Sequence, residues 1–289
     1  MLDLRLLFVS LVWGVNFAFV KFALGDFLPL SFTITRFILA AVFLFAVMLA
    51  TGEPLGLDRK DRLAVVKLGF VGITLYNIFF MYGLKHTSAS HSALFISLSP
   101  LFAVLLQAAS GRERLTVNVI AGVALAMAGV YLILSSHGNG LEFITAGITG
   151  DLLTLVASFL WALYTTSSRL LLERYSPVKV TAYCMAAGSV MLVPIGAHEL
   201  LSQQWSAVSI RSWSAFAFSA IVSGGIAFSL WYHGVKRIGV TRTIAYHYLV
   251  PFVAVVFAAL FLGEQITLPQ MAGGAAIIGG VALVQGKRI

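Results

Sequence analysis

The second half of this chain repeats residues of the first half in the same order. Trp13 and Pro29 recur as Trp161 and Pro177, 148 residues later. Seven further positions recur 151 residues later, which requires one three-residue insertion: Gly83, Lys85, Pro100, Glu113, Thr116, Gly122 and Gly129 return as Gly234, Lys236, Pro251, Glu264, Thr267, Gly273 and Gly280. Each half holds five apolar segments, and an odd number makes the second half enter a bilayer from the opposite face. Inverted repeats of this kind are typical of secondary transporters, which bind substrate where the repeats meet.

The composition places the chain in lipid. Of its 289 residues, 60% are hydrophobic and 10% are charged, with a mean hydropathy of +0.96, whereas soluble domains are about 45–50% apolar. A helix needs about 20 apolar residues to span a bilayer. On this measure ten spans are predicted, at residues 4–24, 30–50, 63–84, 88–109, 116–135, 148–170, 177–199, 212–232, 241–261 and 268–286.

These segments predict an all-α integral membrane protein. Lipid offers the backbone no hydrogen-bond partners, so a span is a helix or part of a closed barrel, and long apolar runs without alternation exclude the barrel. Two domains follow, residues 1–140 and 141–289, each a five-helix repeat, joined by the glycine- and asparagine-rich stretch 137–140. The first span lacks a signal-peptide cleavage site and has a counterpart in the sixth, so we expect it to remain a helix. The single cysteine, Cys184, excludes an internal disulfide bond.

Basic residues predict the orientation of the bundle. The net charge of +8 reflects the excess of Lys and Arg on the cytoplasmic side of membrane proteins, so no nucleic-acid partner is expected. The opposite face has Lys21, Lys85 and Arg211, and Arg36 lies within the second span. Both termini are therefore predicted to be cytoplasmic. Fifteen of the nineteen basic residues share the face of the N-terminus: Arg5, Arg59, Lys60, Arg62, Lys67, Arg112, Arg114, Arg169, Arg174, Lys179, Lys236, Arg237, Arg242, Lys287 and Arg288.

Two repeat-related prolines, Pro100 and Pro251, lie near the middle of the fourth and ninth spans. A proline removes a backbone hydrogen bond and bends its helix. The bend is either a fixed packing feature or a hinge for alternating access, and both prolines are candidate hinges.

Small residues four positions apart mark the fifth and tenth spans. The pairs are Gly122 with Ala126 and Ala276 with Gly280. This spacing lets helices approach closely, either within the bundle or across a dimer.

The tryptophans fall into two groups. Membrane tryptophans usually lie at the interface with water, as we expect for Trp205, Trp213 and Trp231. Trp13 and Trp161 lie in the middle of their spans instead, where an indole N–H needs a protein partner. They are predicted to face the cavity between the repeats, with core packing as the alternative.

Polar groups at membrane depth are costly and usually face a cavity or another helix. Asn16 follows Trp13 by three residues and therefore shares its helical face. Polar and aromatic residues of this kind would line a cavity for an uncharged or zwitterionic organic solute, although any single Ser or Tyr also suits an interhelical hydrogen bond. The candidate substrate-binding residues are Trp13, Asn16, Tyr76, Asn77, Phe80, Tyr82, His91, Ser97, Trp161, Tyr164, Ser223 and Tyr246, with Ser99 and His247 beside them.

The charged residues bear on coupling. Lys21 can extend outward from its helix end, and Arg36 is expected to pair with Asp26 or a lipid headgroup, a substrate carboxylate being the alternative. Acidic residues lie at or near helix ends, with Asp151 the nearest exception, which favours gradient-driven export over a carboxylate-based proton antiport. A histidine is the alternative proton carrier. Scattered histidines and the lack of a phosphate-binding glycine loop predict neither a metal nor a cofactor.

Several motifs together resemble one family. The run from Trp13 to Asn16, and the stretch from Ser88 through Pro100 to Gly129, resemble the EamA family of the drug/metabolite transporter superfamily, and the second half repeats the pattern. The resemblance implies export of amino acids, drugs or other metabolites, and within the family the chain is most similar to bacterial inner-membrane exporters of amino acids, including aromatic ones. The sixth span departs from the first by carrying Tyr164 where Asn16 stands, so an asymmetric site is expected.

The sequence therefore predicts a secondary transporter that exports small organic solutes, most of all amino acids with aromatic or apolar side chains. Export would cross the bacterial cytoplasmic membrane by alternating access. An exporter of drugs or other metabolites is the alternative, and an intramembrane enzyme is disfavoured because no catalytic constellation is present. The expected partners are a small-molecule substrate and membrane lipid, with the chain as a monomer or a homodimer.

Overall fold

The structure is a computed structural model that describes residues 3–109, 117–134 and 141–285, and these residues form helices and no strand. Glu113, Thr116, the linker 137–140 and the basic residues Lys287 and Arg288 lie outside the described residues. The helical segments are α1 (Leu4–Ala23), α2 (Pro29–Ala50), α3 (Arg59–His86), α4 (Ala89–Ile96 and Ser99–Ala109), α5 (Val117–Leu134), α6 (Leu141–Ser167 and Arg169–Arg174), α7 (Pro177–Ser202), α8 (Ile210–Ile238), α9 (Val240–Ala245 and Leu249–Leu262) and α10 (Leu268–Gln285).

Seven of the described segments are long and apolar enough to cross a membrane. They lie in α1, α2, α3, α4, α6, α7 and α8, and shorter apolar helices, Ile120–Gly129 and Leu249–Leu262, lie in α5 and α9. The predicted all-α membrane class is confirmed. The number of ten crossings and their orientation stay predictions.

Helix starts follow local sequence. Pro29 and Pro177, which are repeat counterparts, occupy the first turn of α2 and α7, where a missing N–H is not needed. Ser88, Ser176 and Ser209 cap α4, α7 and α8, and each hydroxyl accepts the N–H three residues later. These caps satisfy backbone donors that would otherwise be unpaired at the helix start.

The helices α3 and α8 each contain a π-helical stretch, Phe70–Leu75 and Phe218–Ala227. Adding the repeat offset of 151 to the first stretch gives positions 221–226, which lie inside the second. π-Helical turns are rare and frequently occur at functional sites. Their matching positions indicate that the two helices play equivalent parts in the two halves.

Contacts between connections define the two ends of the bundle. At the N-terminal end, where α1 begins, Asp3 lies 3.7 Å from Arg237 and Asp61 lies 2.7 Å from Arg174. Basic residues that the sequence assigns to the cytoplasmic face contact their partners there: Arg5, Arg174, Lys179, Lys236 and Arg237.

The opposite end, where α1 finishes, is the distal end. Asp26 accepts hydrogen bonds from Ser209 and Ser212 at the start of α8, and these donors hold the pKa of the Asp26 carboxyl below its ordinary value. Lys21 donates to the carbonyl groups of Leu84 and Thr87 at the end of α3. Lys21 therefore ties α1 to α3.

Each main contact between two helices has an equivalent contact between their repeat counterparts. The helix α2 packs against its own counterpart α7, and α5 packs against α10. The contact of α3 with α6 is matched by that of α8 with α1, and the contact of α1 with α9 by that of α6 with α4. This pattern is what two halves related by a pseudo-two-fold axis require.

Both candidate hinge prolines follow a break in their helix. Pro100 comes after a turn at residues 97–98 that separates the two parts of α4. Pro251 comes after the 3₁₀ turn Tyr246–Tyr248, which separates the two parts of α9. The interruptions lie where the prolines predicted bends, and hinge motion at them stays a prediction.

Close backbone contact sets the crossing of α5 and α10. A Cβ atom on Gly129 would lie 2.5 Å from the Gly273 carbonyl oxygen, and one on Gly280 would lie 2.5 Å from the Gly122 carbonyl oxygen. The two contacts are repeat counterparts of each other. The small residues of these helices therefore serve packing inside the bundle.

We expect Gly280→Ala to lower the free energy of unfolding by about 1–3 kcal/mol relative to Gly279→Ala, because the new methyl group overpacks the crossing. The adjacent Gly279 is a matched control, since a Cβ atom there would lie 3.8 Å from Leu125 Cδ2, an ordinary contact. Both changes alter helix propensity equally. Thermal unfolding in detergent measures the difference, and equal melting temperatures would contradict the crossing described here.

Candidate functional site

An aromatic cluster occupies the centre of the bundle, where the two halves meet. Trp13 of α1 and Trp161 of α6 lie edge to face with ring centroids 5.3 Å apart. Phe228 and Trp231 of α8 and His247 of α9 lie within 6.1 Å of both tryptophan rings. Pairs of this geometry contribute about 0.5–1.5 kcal/mol each beyond the burial of their surface. The cluster therefore holds α1, α6, α8 and α9 together.

A cavity of ≈ 50 Å³ lies within this cluster. One water molecule takes about 30 Å³ of liquid, so the cavity has room for one or two waters in this conformation. An amino acid would fit only after the surrounding helices separate. The lining residues are Trp13, Asn16, Phe17, Arg36, Tyr76, Asn77, Phe80, Ile96, Trp161, Ser219, Ser223, Gly224, Phe228, His247 and Val250.

The lining includes seven of the twelve residues that the sequence assigned to substrate. They are Trp13, Asn16, Tyr76, Asn77, Phe80, Trp161 and Ser223. The inward placement predicted for the two mid-span tryptophans agrees with their exposure, which is 7% for Trp13 and 2% for Trp161. The Trp13 indole N–H donates to the Ser223 carbonyl oxygen at 3.3 Å.

Arg36 faces the cavity, and the expectation that it pairs with Asp26 or a lipid headgroup is wrong. Its side chain is buried, and its two terminal nitrogens donate to Ser219 Oγ and Asn77 Oδ1, both at 2.9 Å. Asp26 instead binds the start of α8 at the distal end. Arg36 lies on the inward face of α2, and its position within the predicted span did not show which face it occupies.

Three polar atoms that belong to lining residues have no hydrogen-bond partner among the described residues. They are Arg36 Nε, Asn16 Oδ1 and Trp161 Nε1, and all three are buried. Buried polar groups are satisfied in the great majority of cases. These two donors and one acceptor make the cavity the candidate site for a polar ligand.

Tyr82, Ser97 and Tyr246 lie away from the cavity. The Tyr82 hydroxyl donates to Glu199 on α7, and the Ser97 hydroxyl donates to the Leu94 carbonyl in its own helix. The Tyr246 hydroxyl accepts the backbone N–H of Asp3 at the N-terminal end. Each of these groups makes a structural hydrogen bond, the alternative that the sequence left open for single Ser and Tyr residues.

Tyr164 is also absent from the cavity lining, although it contacts a lining residue. Its ring lies 5.7 Å from Trp161 and 5.6 Å from Tyr232 of α8, and it is fully buried. Gly72 in the π-helical part of α3 makes room for it, since a Cβ atom there would lie 2.1 Å from Tyr164 Cδ2. Tyr164 therefore supports the cluster.

Trp231 contradicts its expected place at the membrane interface, because it is 1% exposed and belongs to the central cluster. Trp205 and Trp213 are partly exposed at the distal end, where their rings stack 6.2 Å apart. Phe228 and Trp231 are the counterparts of Asn77 and Phe80 at the offset of 151. The repeat itself therefore carried a signal that would have found both residues.

His91 belongs to a separate buried network at the distal end. Its Nδ1 lies 3.0 Å from Asp151 Oδ2, and the Thr87 hydroxyl donates to Asp151 Oδ1 at 2.6 Å. Gln270 at the start of α10 contacts His91 Nε2. Asp151 is fully buried, so an acid does lie inside the bundle, near the distal end of α6.

A larger pocket, of ≈ 450 Å³, opens between α3 and α6 at the N-terminal end. Pockets for small molecules commonly measure about 300–1,000 Å³. Charged groups at its rim include Asp61, Lys67 and Arg174, and apolar side chains such as Val71 and Leu163 lie deeper in the two helices. This pocket has the volume for a solute that the central cavity lacks.

Comparison with known proteins identifies relatives over the whole chain. The model of the EamA-like transporter family matches residues 2–135 and again residues 148–285. The uncharacterized transporter YyaM of Bacillus subtilis is 30% identical, over 98% of this chain and 93% of its own length. An uncharacterized transporter of Archaeoglobus fulgidus is 31% identical, over 99% of this chain and 97% of its own.

Two further likenesses concern substrate and fold. A probable terminal-alkyne amino-acid exporter of Streptantibioticus cattleyicolor is 28% identical, over 98% of this chain and 93% of its own length. A solved crystal structure superimposes with a TM-score of 0.69 at 22% identity, covering 96% of this chain and 94% of that chain. This second likeness shows the fold alone.

We expect Asp151→Leu to lower the free energy of unfolding by about 3 kcal/mol, because the Thr87 hydroxyl and the His91 ring lose a buried acceptor. The neighbouring Leu152 is 49% exposed, so Leu152→Ala should cost less than about 1 kcal/mol. Unfolding in mixed micelles measures both variants. A loss for Asp151→Leu no larger than for Leu152→Ala would show that the network contributes little.

Proposed function

The chain belongs to the EamA-like transporter family, and we propose that it exports small organic solutes, above all amino acids with aromatic or apolar side chains. Export proceeds by alternating access across the bacterial cytoplasmic membrane. The family and the named relatives identify a transporter rather than an enzyme. The observation that carries the proposal is the central cavity, which combines aromatic rings with buried polar groups where the two halves meet.

The chemistry of the cavity suits an amino acid with an apolar side chain. Rings of Trp13, Trp161 and Phe228 bury and stack against such a side chain. The polar groups of Asn16 and Arg36 orient the charged end of the solute. The amino-acid exporter of Streptantibioticus cattleyicolor, a relative over nearly the whole chain, supports this substrate class.

The proposed arrangement is ten spans in two inverted five-helix repeats with both termini in the cytoplasm. The family model matches the chain twice, and helix contacts exchange between counterparts, which supports the repeat. Basic residues gather at the N-terminal end, which supports its cytoplasmic placement. The pocket between α3 and α6 then serves as a vestibule that solute enters from the cytoplasm.

Side-chain contacts join helices at both ends of the bundle in the conformation described here. The Asp61–Arg174 ion pair lies at the N-terminal end, and the contacts of His91 with Asp151 and Gln270 lie at the distal end. Breaks in α4 and α9 lie beside the cavity, which Ile96 and Val250 line next to them. We propose that α4 and α9 pivot at these breaks, at Pro100 and Pro251, to open one end at a time.

An exporter of drugs or other metabolites is the second candidate within the same fold. A cationic drug would meet the positive charge of Arg36 in a cavity of low polarity, which disfavours this class. Competition of labelled phenylalanine counterflow by cations and by other amino acids distinguishes the two candidates.

We expect Trp161→Ala to reduce phenylalanine counterflow in proteoliposomes at least tenfold. The loss of ring contacts worth about 1.4 kcal/mol corresponds to a factor of ten. Trp205→Ala, at the distal end and outside the cluster, is the matched control and should retain the wild-type rate. Equal rates for both variants would remove the central cluster from the transport path.

The single cysteine of the chain allows a clean test of topology. In a Cys184→Ala background, Ser206→Cys at the distal end should react with an impermeant maleimide added to intact cells. Lys60→Cys at the N-terminal end should react only after the membrane is opened. Both positions are exposed. Labelling of both positions from the same side would overturn the proposed orientation.

A further inference from the structure

Arg36 is a permanent positive charge, buried and without an acidic partner in the part of the chain that the structure describes. A guanidinium has five N–H donors and stays protonated in proteins. Two of its nitrogens donate to neutral oxygens, on Ser219 and Asn77, while Nε is buried and has no partner among residues 3–109, 117–134 and 141–285. None of the ion pairs found among the described residues includes Arg36. Buried charges are normally paired, so this one lacks an anion.

The guanidinium is held in place by groups from both halves. Asn77 donates its amide nitrogen to the Ile73 carbonyl at 2.8 Å, which leaves Oδ1 to face Arg36. Ser219 lies in the π-helical stretch of α8, and the Phe37 ring lies 4.3 Å from the Arg36 Cζ atom. A side chain ordered before a ligand arrives costs less entropy on binding. Arg36 is therefore preorganised, with part of its fork unoccupied.

The position in the second half that corresponds to Arg36 carries no charge. The offset of 148 relates Arg36 to Cys184 and Asn16 to Tyr164, and the offset of 151 relates Asn77 to Phe228. Three polar positions of the first half thus correspond to a thiol and two aromatic rings in the second. The lining therefore holds a buried guanidinium from the first half with no equivalent in the second, beside aromatic rings from both halves. It matches a solute that has a charged head and an apolar tail.

We propose that Arg36 binds the carboxylate of the exported solute, so that the substrates are zwitterionic amino acids and related monocarboxylates. This inference rests on the proposed function for its transport context. The carboxylate neutralises the buried guanidinium and takes up the donors at Arg36 Nε and Trp161 Nε1. The ammonium group of an amino acid donates to Asn16 Oδ1, a buried acceptor without a partner among the described residues. The apolar side chain lies against the tryptophan rings.

Binding to purified protein in nanodiscs tests the inference without transport. The probes are phenylalanine and 3-phenylpropionate, which carry the carboxylate, and phenylalaninamide and phenethylamine, which lack it. Wild-type protein should bind phenylalanine at least tenfold more tightly than phenylalaninamide, since hydrogen bonds to charged groups are among the strongest. Arg36→Gln should bring this ratio to about one, and Arg36→Lys should retain part of it.

Arg211→Gln is the matched control, because it makes the same change at an exposed position at the start of α8. It should keep the wild-type ratio. A ratio that Arg36→Gln leaves unchanged would overturn the inference. Where Arg36→Gln does not fold, the wild-type ratio decides: equal affinity for phenylalanine and its amide, or no binding of either carboxylate, overturns the inference.

Flux measured in parallel separates the two proposals. Phenylalanine counterflow that phenylalaninamide inhibits as well as phenylalanine itself would leave the transport function standing and overturn the role of Arg36. Carboxylate binding that depends on Arg36, without counterflow of any amino acid, would support the site and contradict the export function.

Discussion

Lipid cannot hydrogen-bond to a protein, and this constraint governs the whole structure. It makes every span a helix, because only a helix satisfies its own backbone. It also drives polar side chains to partners inside the bundle, so that Arg36 meets Asn77 and Ser219, and His91 meets Asp151. Three of the buried polar atoms that lack a partner among the described residues belong to side chains lining one cavity, and the proposed binding of a carboxylate depends on them.

The repeat supplies a symmetric frame for an asymmetric site. Glycines of α5 and α10 make equivalent backbone contacts, and the π-helical stretches of α3 and α8 occupy equivalent positions. At the centre the symmetry ends, because Arg36 corresponds to Cys184 and Asn77 to Phe228. Symmetry in the frame suits two access states of similar energy, whereas asymmetry in the lining suits a solute with two different ends.

The small volume of the central cavity and the contacts at the two ends both bear on how the helices would move during the proposed transport. The central space is far smaller than an amino acid, so the proposed binding there requires helix movement. The helices α4 and α9 are interrupted beside that space and contribute to its lining, whereas α5 and α10 pack tightly through small residues. Movement is therefore expected in the first pair and rigidity in the second. The ion pair at one end and the histidine network at the other are the contacts that such movement must break.

Much was determined by the sequence alone: the all-α membrane class, the repeat, the transporter family and the inward tryptophans Trp13 and Trp161. These properties depend on hydropathy, spacing and motif, which are local or periodic along the chain. The tertiary structure decided which neighbours each side chain faces. It placed Arg36 and Trp231 in the centre, and it directed Tyr82, His91 and Tyr246 to other helices. A membrane helix is apolar on most sides, so its periodicity does not show which side meets the cavity until the neighbouring helices are in place.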